Sequence, residues 1–421
     1  MNALARILEW PGEAEDALGL ALWDAVGLAR AMGGVACGEF QCSGVEIDSR
    51  DVVPGDLFFA LKGEAMDGHR FVPMAFQKGA SAVVVDRAVD GPHILVPDTS
   101  KALELLAAAS RARVDARIIG VTGSVGKTGV KEAIFAALDR ASRGKAHRSV
   151  KSYNNHVGVP LSLARMPARS RFGIFEMGMN HAGEIAALTR QVRPHVAVIT
   201  TIAPAHIENL GSEEGIANAK AEIFGGLEPG GTAVIPADSP HFERLRDAAL
   251  AVGAKVVAFG RAAHAQVRLL DAVSAPGGGS LVTADLGDRR VCYTVAAPGE
   301  HWVANSLCVM AAVRAAGGDL GAAGLALAEL AGLKGRGARF ACKTPDGGIA
   351  MVIDESYNAN PASMKATLTQ LGLTPARRRI AVLGAMKELG EHGPAYHAAL
   401  AEPLAASRAD FAILVGDEMR A

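Results

Sequence analysis

An apolar segment runs into a glycine-rich turn in the sequence Arg117-Ile-Ile-Gly-Val-Thr-Gly-Ser-Val-Gly-Lys-Thr128. Residues 118–121 have the character of a buried strand, and residues 122–126 are small enough to turn tightly. Residues 130–138 then predict a helix, because their apolar members recur at 130, 133, 134, 137 and 138. A strand, a glycine-rich turn and a helix in this order indicate a phosphate-binding loop.

The chemistry of such a loop depends on its backbone and on two side chains. Backbone N–H groups of the turn point toward phosphate oxygens, and the following helix adds the positive end of its dipole. Lys127 would reach the β- and γ-phosphates, and the hydroxyl of Thr128 would bind Mg²⁺. The predicted ATP-binding loop comprises Thr122, Gly123, Ser124, Val125, Gly126, Lys127 and Thr128.

One position departs from the general pattern G-x-x-x-x-G-K-[ST]. Val121 stands where the pattern has glycine, with Gly120 and Gly123 on either side. A Gly-Lys-Thr sequence often arises by chance, so the alternative is a glycine-rich turn that carries a solvated lysine. The flanking strand and helix favour the phosphate-binding loop.

The length and charge of the chain limit the possible functions. A chain of 421 residues is long for one core and predicts two or three domains. The 43 Lys and Arg residues and the 44 Asp and Glu residues leave a net charge of −1. This balance does not indicate a surface for nucleic acid or for an acidic membrane, so we expect neither as a partner. We also expect a monomer.

Cysteine usage and the N-terminus predict the cellular compartment. The five cysteines do not have the spacing of a metal site; they are Cys37, Cys42, Cys292, Cys308 and Cys342. Their odd number favours reduced thiols in the cytosol. Glu9 and Pro11 precede any long apolar run, so the N-terminus does not resemble a signal peptide. Without a run of about 18 apolar residues, we predict no spanning helix and expect a soluble, cytoplasmic protein.

Residues 1–115 alternate helical and strand patterns and form a first predicted domain. Its helices are expected over 17–32, 71–79 and 101–113, and its strands over 45–50, 57–61, 82–85 and 93–96. Ser49 and Arg50 end one strand, where a forked guanidinium could hold an anionic or uracil-like group. The alternative is an ordinary solvated arginine.

Polar residues follow three apolar strands of the next predicted domain, residues 116–333. Thr128 follows the first strand, Glu176 ends the second, and His206 follows the third. Ligands bind open α/β sheets at the carboxyl ends of the strands, so we expect these metal-compatible groups on one rim. An exposed acid and a structural histidine are the alternatives.

Other polar positions of this domain allow two interpretations. Asn154 and Asn155 could orient a substrate or cap the following helix, and capping is the commoner use. Lys220 lies on a predicted helix, where a lysine is ordinarily solvated. Asn305 could face an adenine edge or be an ordinary polar position of its helix.

The third predicted domain, residues 334–421, has a β-α-β-α-β pattern typical of a parallel, Rossmann-like sheet. Its strands are expected over 350–354, 380–383 and 411–415, and its helices over 362–371 and 395–406. A doubly wound domain needs further elements, so we expect this one to be incomplete at Ala421. Residues 267–296 predict a small antiparallel insertion in the central domain. The expected fold is α/β in three domains: a small N-terminal domain, a central P-loop parallel-sheet domain and this Rossmann-like domain.

Together these features resemble the Mur ligases, the ATP-dependent amino-acid ligases of peptidoglycan synthesis. The resemblance covers essentially the whole chain in the family's order. Members of the family have valine at the loop position that corresponds to Val121. The matching segments are 48–63, 121–128, 154–161, 176–185, 205–212, 219–224, Gly335-Arg336 and Asp354-Glu-Ser-Tyr-Asn-Ala-Asn-Pro361. Each segment alone is unspecific, whereas the joint match is highly specific.

The resemblance implies catalytic and metal-binding roles. Lys127 and the loop amides would hold the ATP phosphates, and Thr128 and Glu176 would hold one Mg²⁺. His206 and Lys220 would help to hold a second Mg²⁺. Lys220 would do so as a carbamate, because an ordinary lysine repels cations.

The resemblance also implies contacts to nucleotide and substrates. Asn305, Arg336 and Asp354 correspond to the adenine, phosphate and ribose contacts. Ser49 and Arg50 correspond to the UDP end of a nucleotide-sugar site, and the first domain would bind the UDP-sugar. The remaining substrate-binding positions are Asn154 and Asn155 and, near the incoming dipeptide, Tyr357, Asn358 and Asn360.

The implied activity adds D-alanyl-D-alanine to UDP-N-acetylmuramoyl-tripeptide, with ATP and Mg²⁺. A carboxylate attacks the γ-phosphoryl group to give an acyl phosphate, and the dipeptide amine then displaces phosphate. Closure of the third domain would keep water from the acyl phosphate. Such an enzyme serves peptidoglycan synthesis, and with it cell-wall biogenesis, cell shape and cell division.

Three alternatives remain at this stage. The sister ligase adds a diamino acid or lysine to the UDP-dipeptide, but Ser-Tyr357-Asn-Ala-Asn differs from the Tyr-Ala-His-Asn-Pro type of loop. Folylpolyglutamate synthetase is a more distant relative, disfavoured by Asp48-Ser-Arg in the first domain. A non-catalytic nucleotide-binding module is disfavoured by the retained Lys127, Glu176, His206 and Lys220.

Overall fold

Helices and strands alternate along the chain in a computed structural model, which describes residues 21–63, 66–205, 207–275, 279–330, 332–345 and 347–420. This mixture confirms the α/β class expected from the sequence. The chain divides into two compact units. The first unit comprises residues 1–117 and 142–175, and the second comprises residues 118–141 and 176–421.

The strands of the described residues are numbered in chain order. They are β1 (Trp23–Asp24), β2 (Val35–Cys37), β3 (Gln41–Cys42), β4 (Gly44–Glu46), β5 (Asp56–Phe59), β6 (Ala82–Val85), β7 (His93–Leu95), β8 (Arg117–Thr122), β9 (Ala146–Arg148), β10 (Phe172–Glu176), β11 (Val196–Ile199), β12 (Thr232–Pro236), β13 (Lys255–Gly260), β14 (Val267–Ser274), β15 (Ser280–Asp285), β16 (Arg290–Val295), β17 (Ala338–Lys343), β18 (Ile349–Asp354), β19 (Ile380–Gly384) and β20 (Phe411–Val415).

The α-helices are numbered in the same way. They are α1 (Ala25–Met32), α2 (Val72–Gln77), α3 (Thr99–Ala112), α4 (Lys127–Ser142), α5 (Gly158–Ala164), α6 (Glu184–Val192), α7 (Ile207–Leu210), α8 (Glu213–Ala221), α9 (Phe242–Ala251), α10 (Glu300–Ala315), α11 (Leu320–Glu329), α12 (Pro361–Leu373), α13 (Gly393–Ala398) and α14 (Ala401–Ala406). Short 3₁₀ turns lie at Gly68–Phe71, Glu222–Gly226, Gly390–His392 and Asp417–Arg420.

A five-stranded sheet carries the core of the first unit. Its order is β2-β7-β6-β5-β4, and all neighbours are parallel except β2 and β7. Leu57 and Phe59 of β5 pack with helices α1 and α3, whereas Phe58 packs with the cluster that includes α2. Strands buried on both faces are apolar throughout, which is why the sequence reveals this one. The same unit contains the parallel pair β9 and β10.

The first helix starts later than the sequence predicts. We expected a helix over 17–32, but among the described residues it begins at Ala25, and residues 17–20 lie outside them. Trp23 and Asp24 instead form β1, antiparallel to β3. The side chain of Asp24 accepts a hydrogen bond from the backbone N of Gly27 at 2.6 Å, so Asp24 caps the helix and fixes its start.

Parallel strands form the centre of the second unit. Seven strands follow one another in the order β16-β15-β14-β13-β12-β11-β8. β8, β11, β12, β13 and β14 are parallel neighbours, and β14, β15 and β16 are antiparallel. The expected antiparallel segment over 267–296 is therefore present, and through β14 it extends the parallel sheet.

The C-terminal part of the second unit differs from the prediction in one pairing. We expected β18 to open a parallel sheet, but it pairs with β17 in an antiparallel hairpin. The sequence did not reveal β17 because its side chains are mostly exposed and show no apolar face. β19 and β20 are parallel, as expected. α11 was also missed, since Gly321 and Gly324 weaken its helical pattern.

None of the helices formed by the described residues combines the length and the apolar character that a bilayer crossing requires.

Candidate active site

The turn between β8 and α4 has a shape that requires glycine at two positions. Gly123 has a φ of 148° and Gly126 a φ of 85°, values that other residues rarely adopt. A Cβ on Gly123 would lie 1.9 Å from Oγ1 of Thr200, and a Cβ on Gly126 would lie 3.0 Å from Oδ1 of Asn305. The strand, turn and helix predicted from the sequence are therefore present, with the backbone in close contact with its neighbours.

The chain that follows β11 anchors this turn. The backbone N of Ser124 donates to the carbonyl oxygen of Thr201 at 2.8 Å. Oγ of Ser124 donates to the carbonyl of Ala203 at 2.9 Å and accepts from the backbone N of Ala203 at 3.0 Å. Oγ1 of Thr200 donates to the carbonyl of Val125 at 2.5 Å. The segment leading to residue 206 is thus tied to the loop, although His206 itself lies outside the described residues.

Lys127 lies at the start of α4 with a perturbed pKa. Its Nζ donates a hydrogen bond to the carbonyl oxygen of Gly123, 2.7 Å away. Desolvation lowers the pKa of Lys127, and the positive charge of Arg336 lowers it further, while the charge of Glu176 opposes both effects. The structure therefore brings Lys127, Glu176 and Arg336 within electrostatic reach of one another.

Glu176 ends β10 in a fully buried position. The backbone N of the next residue, Met177, donates to the carbonyl of Val121 at 2.8 Å. Glu176 therefore lies beside the carboxyl end of β8, as the sequence predicts for a parallel sheet.

Two threonines of the loop have hydroxyl groups with unused hydrogen-bonding capacity. Oγ1 of Thr122 and Oγ1 of Thr128 are buried, and neither has a hydrogen-bond partner within the described part of the chain. A buried polar atom without a partner costs about 1–3 kcal/mol, so it requires an explanation. A hard cation at Thr128 would supply the missing partner, because oxygen ligands suit Mg²⁺.

Lys220 corrects an expectation based on its residue type. Taken alone, a lysine on helix α8 is expected to be solvated, but Lys220 is 2% exposed. Burial lowers its pKa well below the usual value, and the charge of Lys127 lowers it further. Ile216 is buried four residues earlier on the same helix face, and this spacing is the sequence signal that was available.

The described residues contain no group of three or more His, Cys, Asp or Glu side chains arranged to hold a metal. The proposed metal ligands are of a different kind, since they include a threonine hydroxyl, Lys220 and the undescribed His206. The hydroxyl of Thr128 and the carboxylate of Glu176 offer the oxygen ligands that Mg²⁺ prefers, whereas His206 offers a nitrogen. The Lys220 amine would join it after conversion to a carbamate.

The three nucleotide contacts implied by the resemblance have different surroundings. Asn305 lies on α10 against Gly126 of the loop. The charge of Arg336 is felt at Lys127. Asp354 ends β18, and its carboxylate accepts hydrogen bonds from Gly335 N at 3.0 Å and from Ser356 Oγ at 2.6 Å. These bonds, led by that of Ser356, lower the pKa of Asp354.

The three residues expected near a dipeptide perform different local tasks. The ring of Tyr357 faces the guanidinium of Arg336 at 4.1 Å. Asn360 caps α12: its Oδ1 accepts from Ser363 N at 2.9 Å, and Oγ of Ser363 accepts from Asn360 N at 3.0 Å. Oδ1 of Asn358 accepts from the next backbone N at 2.9 Å.

The four remaining predicted residues lie in the first unit. Ser49 is buried, and its Oγ donates to Sδ of Met74 at 3.4 Å. Arg50 is 82% exposed and forms a forked pair with Asp48, at 2.9 Å through Nε and at 2.6 Å through Nη2. This pair lowers the pKa of Asp48 to about 2.

Asn154 and Asn155 precede α5. Oδ1 of Asn155 accepts from the backbone N of Gly158 at 2.8 Å, so it satisfies a donor of the first turn. Asn155 thus supports the start of α5 from two residues before its N-cap, Val157, which makes no side-chain capping bond.

Sequence reasoning missed two side chains beside the loop. Trp302 of α10 packs on α4 so closely that a Cβ on Gly129 would lie 2.8 Å from its ring. Lys131 is fully buried, with Nζ 2.9 Å from a carboxylate oxygen of Glu132. The placement of Gly129 and Lys131 directly after Thr128 was the available signal.

Three family models match the chain in succession. They are described as the Mur ligase family catalytic domain over residues 41–115, the Mur ligase middle domain over 121–313 and the Mur ligase glutamate ligase domain over 338–421. The central model begins at the loop, and the last one begins at β17.

A curated relative and two solved structures are similar along most of their length. UDP-N-acetylmuramoyl-tripeptide–D-alanyl-D-alanine ligase of Bacillus subtilis is 37% identical over 362 residues, 84% of this chain and 76% of its own. MurF of Acinetobacter baumannii superposes with a TM-score of 0.82 at 30% identity, over 95% of this chain and 87% of that one. MurF of Thermotoga maritima in complex with ADP gives a TM-score of 0.71 at 26% identity, over 89% and 88%. The chain therefore belongs to the Mur ligase family.

Proposed function

We propose that this protein is an ATP-dependent ligase that joins D-alanyl-D-alanine to UDP-N-acetylmuramoyl-tripeptide, with release of ADP and phosphate. The named relatives support this reaction, since they are ligases of that tripeptide and dipeptide at 32–38% identity. The product is a precursor of peptidoglycan. The reaction would therefore serve cell-wall biogenesis and, through it, cell shape and division.

The observation that carries the proposal is a group of charges at the glycine-rich turn. Lys127 interacts electrostatically with Arg336 and with Lys220, and Glu176 is the carboxylate that acts on Lys127. The charge of Arg336 lowers the pKa of Lys127, and the charge of Lys127 lowers that of Lys220. Cations placed so close together repel one another, and a polyanion between them would relieve the repulsion. A triphosphate at the start of a helix meets this requirement.

We propose that Thr128 and Glu176 hold one Mg²⁺, and that His206 and a carbamate of Lys220 hold a second. When bound, the two ions would neutralise negative charge on the phosphates. The burial of Lys220 supports the carbamate, because a lowered pKa increases the fraction of neutral amine, which is the form that adds CO₂. The resulting negative group would replace a buried amine beside Lys127.

The proposed reaction needs positioning more than covalent help from the protein. An oxygen of the tripeptide carboxylate attacks the γ-phosphorus, the bond to ADP breaks, and an acyl phosphate forms. Lys127 and Arg336 stabilise the charge on the transferring group. The dipeptide amine then attacks the acyl carbon, phosphate departs and the amine loses a proton.

The substrate contacts and domain boundaries remain proposals. Residues 1–115 would bind the UDP-sugar through Ser49 and Arg50, with Asn154 and Asn155 of the central domain, 116–333, completing the site. Asn305 would contact adenine and Asp354 ribose. Residues 334–421 would bind the dipeptide, with Tyr357, Asn358 and Asn360 as the candidates. The cytoplasmic location and the monomeric state also stay predictions.

The test is phosphate release from ATP, measured with each substrate omitted in turn. We expect release only when UDP-N-acetylmuramoyl-tripeptide and D-alanyl-D-alanine are both present. Release driven by a diamino acid with the UDP-dipeptide would assign the protein to the sister reaction. Nucleotide binding without release for any amine would identify a binding module and contradict the proposal.

A further inference from the structure

Arg336 lies in a short loop that is fastened to the end of β18. Gly335 N donates to Oδ2 of Asp354 at 3.0 Å, and Gly337 N donates to the carbonyl of Asp354 at 2.9 Å. Tyr357 N donates to the carbonyl of Gly335 at 3.1 Å. The two residues beside Arg336 are therefore both bonded to the segment 354–357, so the backbone of Arg336 is fixed relative to Tyr357.

Gly335 allows this close contact because it has no side chain. Its φ is 71°, and an added Cβ would lie 2.9 Å from Cβ of Tyr357 and 3.2 Å from the backbone N of Tyr357. The loop and the tyrosine thus touch through backbone atoms. Any larger residue at 335 would push Tyr357 and Arg336 apart.

The side chains continue this contact. The guanidinium carbon of Arg336 lies 4.1 Å from the centre of the Tyr357 ring, within the range of a cation–π interaction. Tyr357 is 56% exposed, so core packing does not account for the position of its ring. A guanidinium stacked by one face on a ring keeps its five N–H donors at the edge, where they can fork to phosphate oxygens.

Arg336 also interacts electrostatically with the nucleotide loop. Its charge acts on Lys127, whose Nζ is bonded to Gly123 at the turn. The same guanidinium therefore lies over the ring of Tyr357, and its charge acts on the lysine of the phosphate-binding loop. An arginine has many rotamers, and a favourable contact with a ring beneath it reduces the number that are populated before the nucleotide binds.

We propose that Tyr357 is a positioning residue for Arg336, so that it acts on ATP binding and phosphoryl transfer rather than on the dipeptide. This inference rests on the proposed function and changes one of its assignments, since Tyr357 was expected near the incoming dipeptide. Asn358 and Asn360 are unaffected by the change.

The test compares Tyr357→Leu with Tyr357→Phe in the full chain. Tyr357→Leu removes the ring and is expected to raise KM for ATP about three- to five-fold, the size of an exposed cation–π contact. KM for D-alanyl-D-alanine should stay within about two-fold of wild type. Tyr357→Phe keeps the ring and should restore KM for ATP. Tyr396→Leu, a half-buried tyrosine of the same C-terminal part, is the matched control.

A double-mutant cycle with Arg336→Ala decides whether the ring acts through the arginine. In the Arg336→Ala background, Tyr357→Leu should change the Kd of the ATP analogue AMP-PNP by less than about 1.5-fold. Independent effects that multiply would overturn the proposal, as would a rise confined to KM for the dipeptide.

The two proposals fail in different ways. A wild-type protein that releases no phosphate with the full substrate set would overturn the proposed function. The cycle measured by AMP-PNP binding would still test the role of Tyr357 in that case. Unchanged melting temperatures of the variants would show that folding is not the cause of any effect.

Discussion

The amine of Lys220 is buried within electrostatic reach of Lys127, and this environment has a measurable consequence. Burial and the charge of Lys127 lower the pKa of the Lys220 amine in the folded protein. The unfolded chain keeps the ordinary value, so between the two values the unfolded state binds more protons. Stability must then rise with pH across this window and lose that dependence above about 10.4.

We therefore expect Lys220→Met to flatten the pH dependence of unfolding. In buffer freed of CO₂, the free energy of unfolding of the wild type should gain up to about 1.4 kcal/mol per pH unit relative to Lys220→Met within the window. Urea titrations at pH 7, 8 and 9 measure this difference. Lys255→Met, which removes an exposed lysine, is the control. Parallel pH profiles for wild type and Lys220→Met would contradict the account.

A substitution at Thr128 should affect turnover and stability in opposite ways. Its buried hydroxyl has no hydrogen-bond partner among the described residues, so Thr128→Val removes an unsatisfied polar atom without changing the shape. The free energy of unfolding of the protein without ligand should stay the same or rise by about 1 kcal/mol. Turnover should fall about 100-fold or more, because the proposed metal contact is lost.

Thr128→Ser is the matched control for this prediction, since it keeps the hydroxyl. Its turnover should stay near that of the wild type. A Thr128→Val protein that is strongly destabilised, or that retains turnover, would show that the hydroxyl serves the fold instead.

At the level of single residues, the sequence predicted where functional side chains lie better than it predicted their burial and their contacts. Lys127, Thr128 and Glu176 could be assigned to one rim because the ends of parallel strands meet there. The burial of Lys220 could not be derived from its residue type, and only its spacing from Ile216 indicated it. The pairing of Tyr357 with Arg336 was unpredictable, because it joins two segments through a contact that no local pattern encodes.

The glycine-rich turn is the element on which the site depends, and its packing at Gly123 can be tested. Gly123→Ala would place Cβ 1.9 Å from Thr200, where the backbone must shift. We expect a loss of about 3 kcal/mol or more in the free energy of unfolding, because strain and overpacking add. Chemical denaturation measures this value.

Gly253→Ala provides the comparison. Gly253 also has a positive φ, of 73°, but a Cβ there would meet nothing within 4 Å. Its substitution should cost about 1 kcal/mol, the conformational strain alone. Equal losses for Gly123→Ala and Gly253→Ala would mean that the turn is not tightly packed.

The start of α12 provides a second prediction at the element scale. Asn360 forms a reciprocal cap with Ser363, so Asn360→Ala should lower the free energy of unfolding by about 1 kcal/mol. Asn358→Ala, which removes an exposed side chain two residues earlier, should have little effect on stability. Unchanged stability in Asn360→Ala would contradict the capping role. A loss of dipeptide affinity in the same variant would support the substrate contact proposed for Asn360.

Elements with strong apolar patterns could be predicted, and those without could not. β5 and β6 are buried apolar runs and appear close to where the sequence places them. β1 and β17 were missed, because a two-residue strand and an exposed hairpin strand show no period. Their positions depend on partners elsewhere in the chain.

On the scale of the whole molecule, the central inference is that residues distant in sequence meet to bind the triphosphate of ATP. Lys127, Glu176, Lys220 and Arg336 come from four different segments of the second unit. The charges of Glu176 and Arg336 act on Lys127, and the charge of Lys127 acts on Lys220. No single segment of the sequence contains such a site. The strand ends alone placed Thr128 and Glu176 on one rim, whereas the roles of Lys220 and Arg336 came only from the family resemblance. The fold supplies the common edge, and the side chains supply the charge.

The most direct measurement is a crystal structure of the protein with AMP-PNP and Mg²⁺. We predict that Nζ of Lys127 leaves the carbonyl of Gly123 and binds phosphate oxygens. The same map should show Mg²⁺ between Thr128 Oγ1 and Glu176, with Arg336 turned toward the triphosphate. A nucleotide bound elsewhere, or one that leaves Lys127 on Gly123 with no metal at Glu176, would contradict the account.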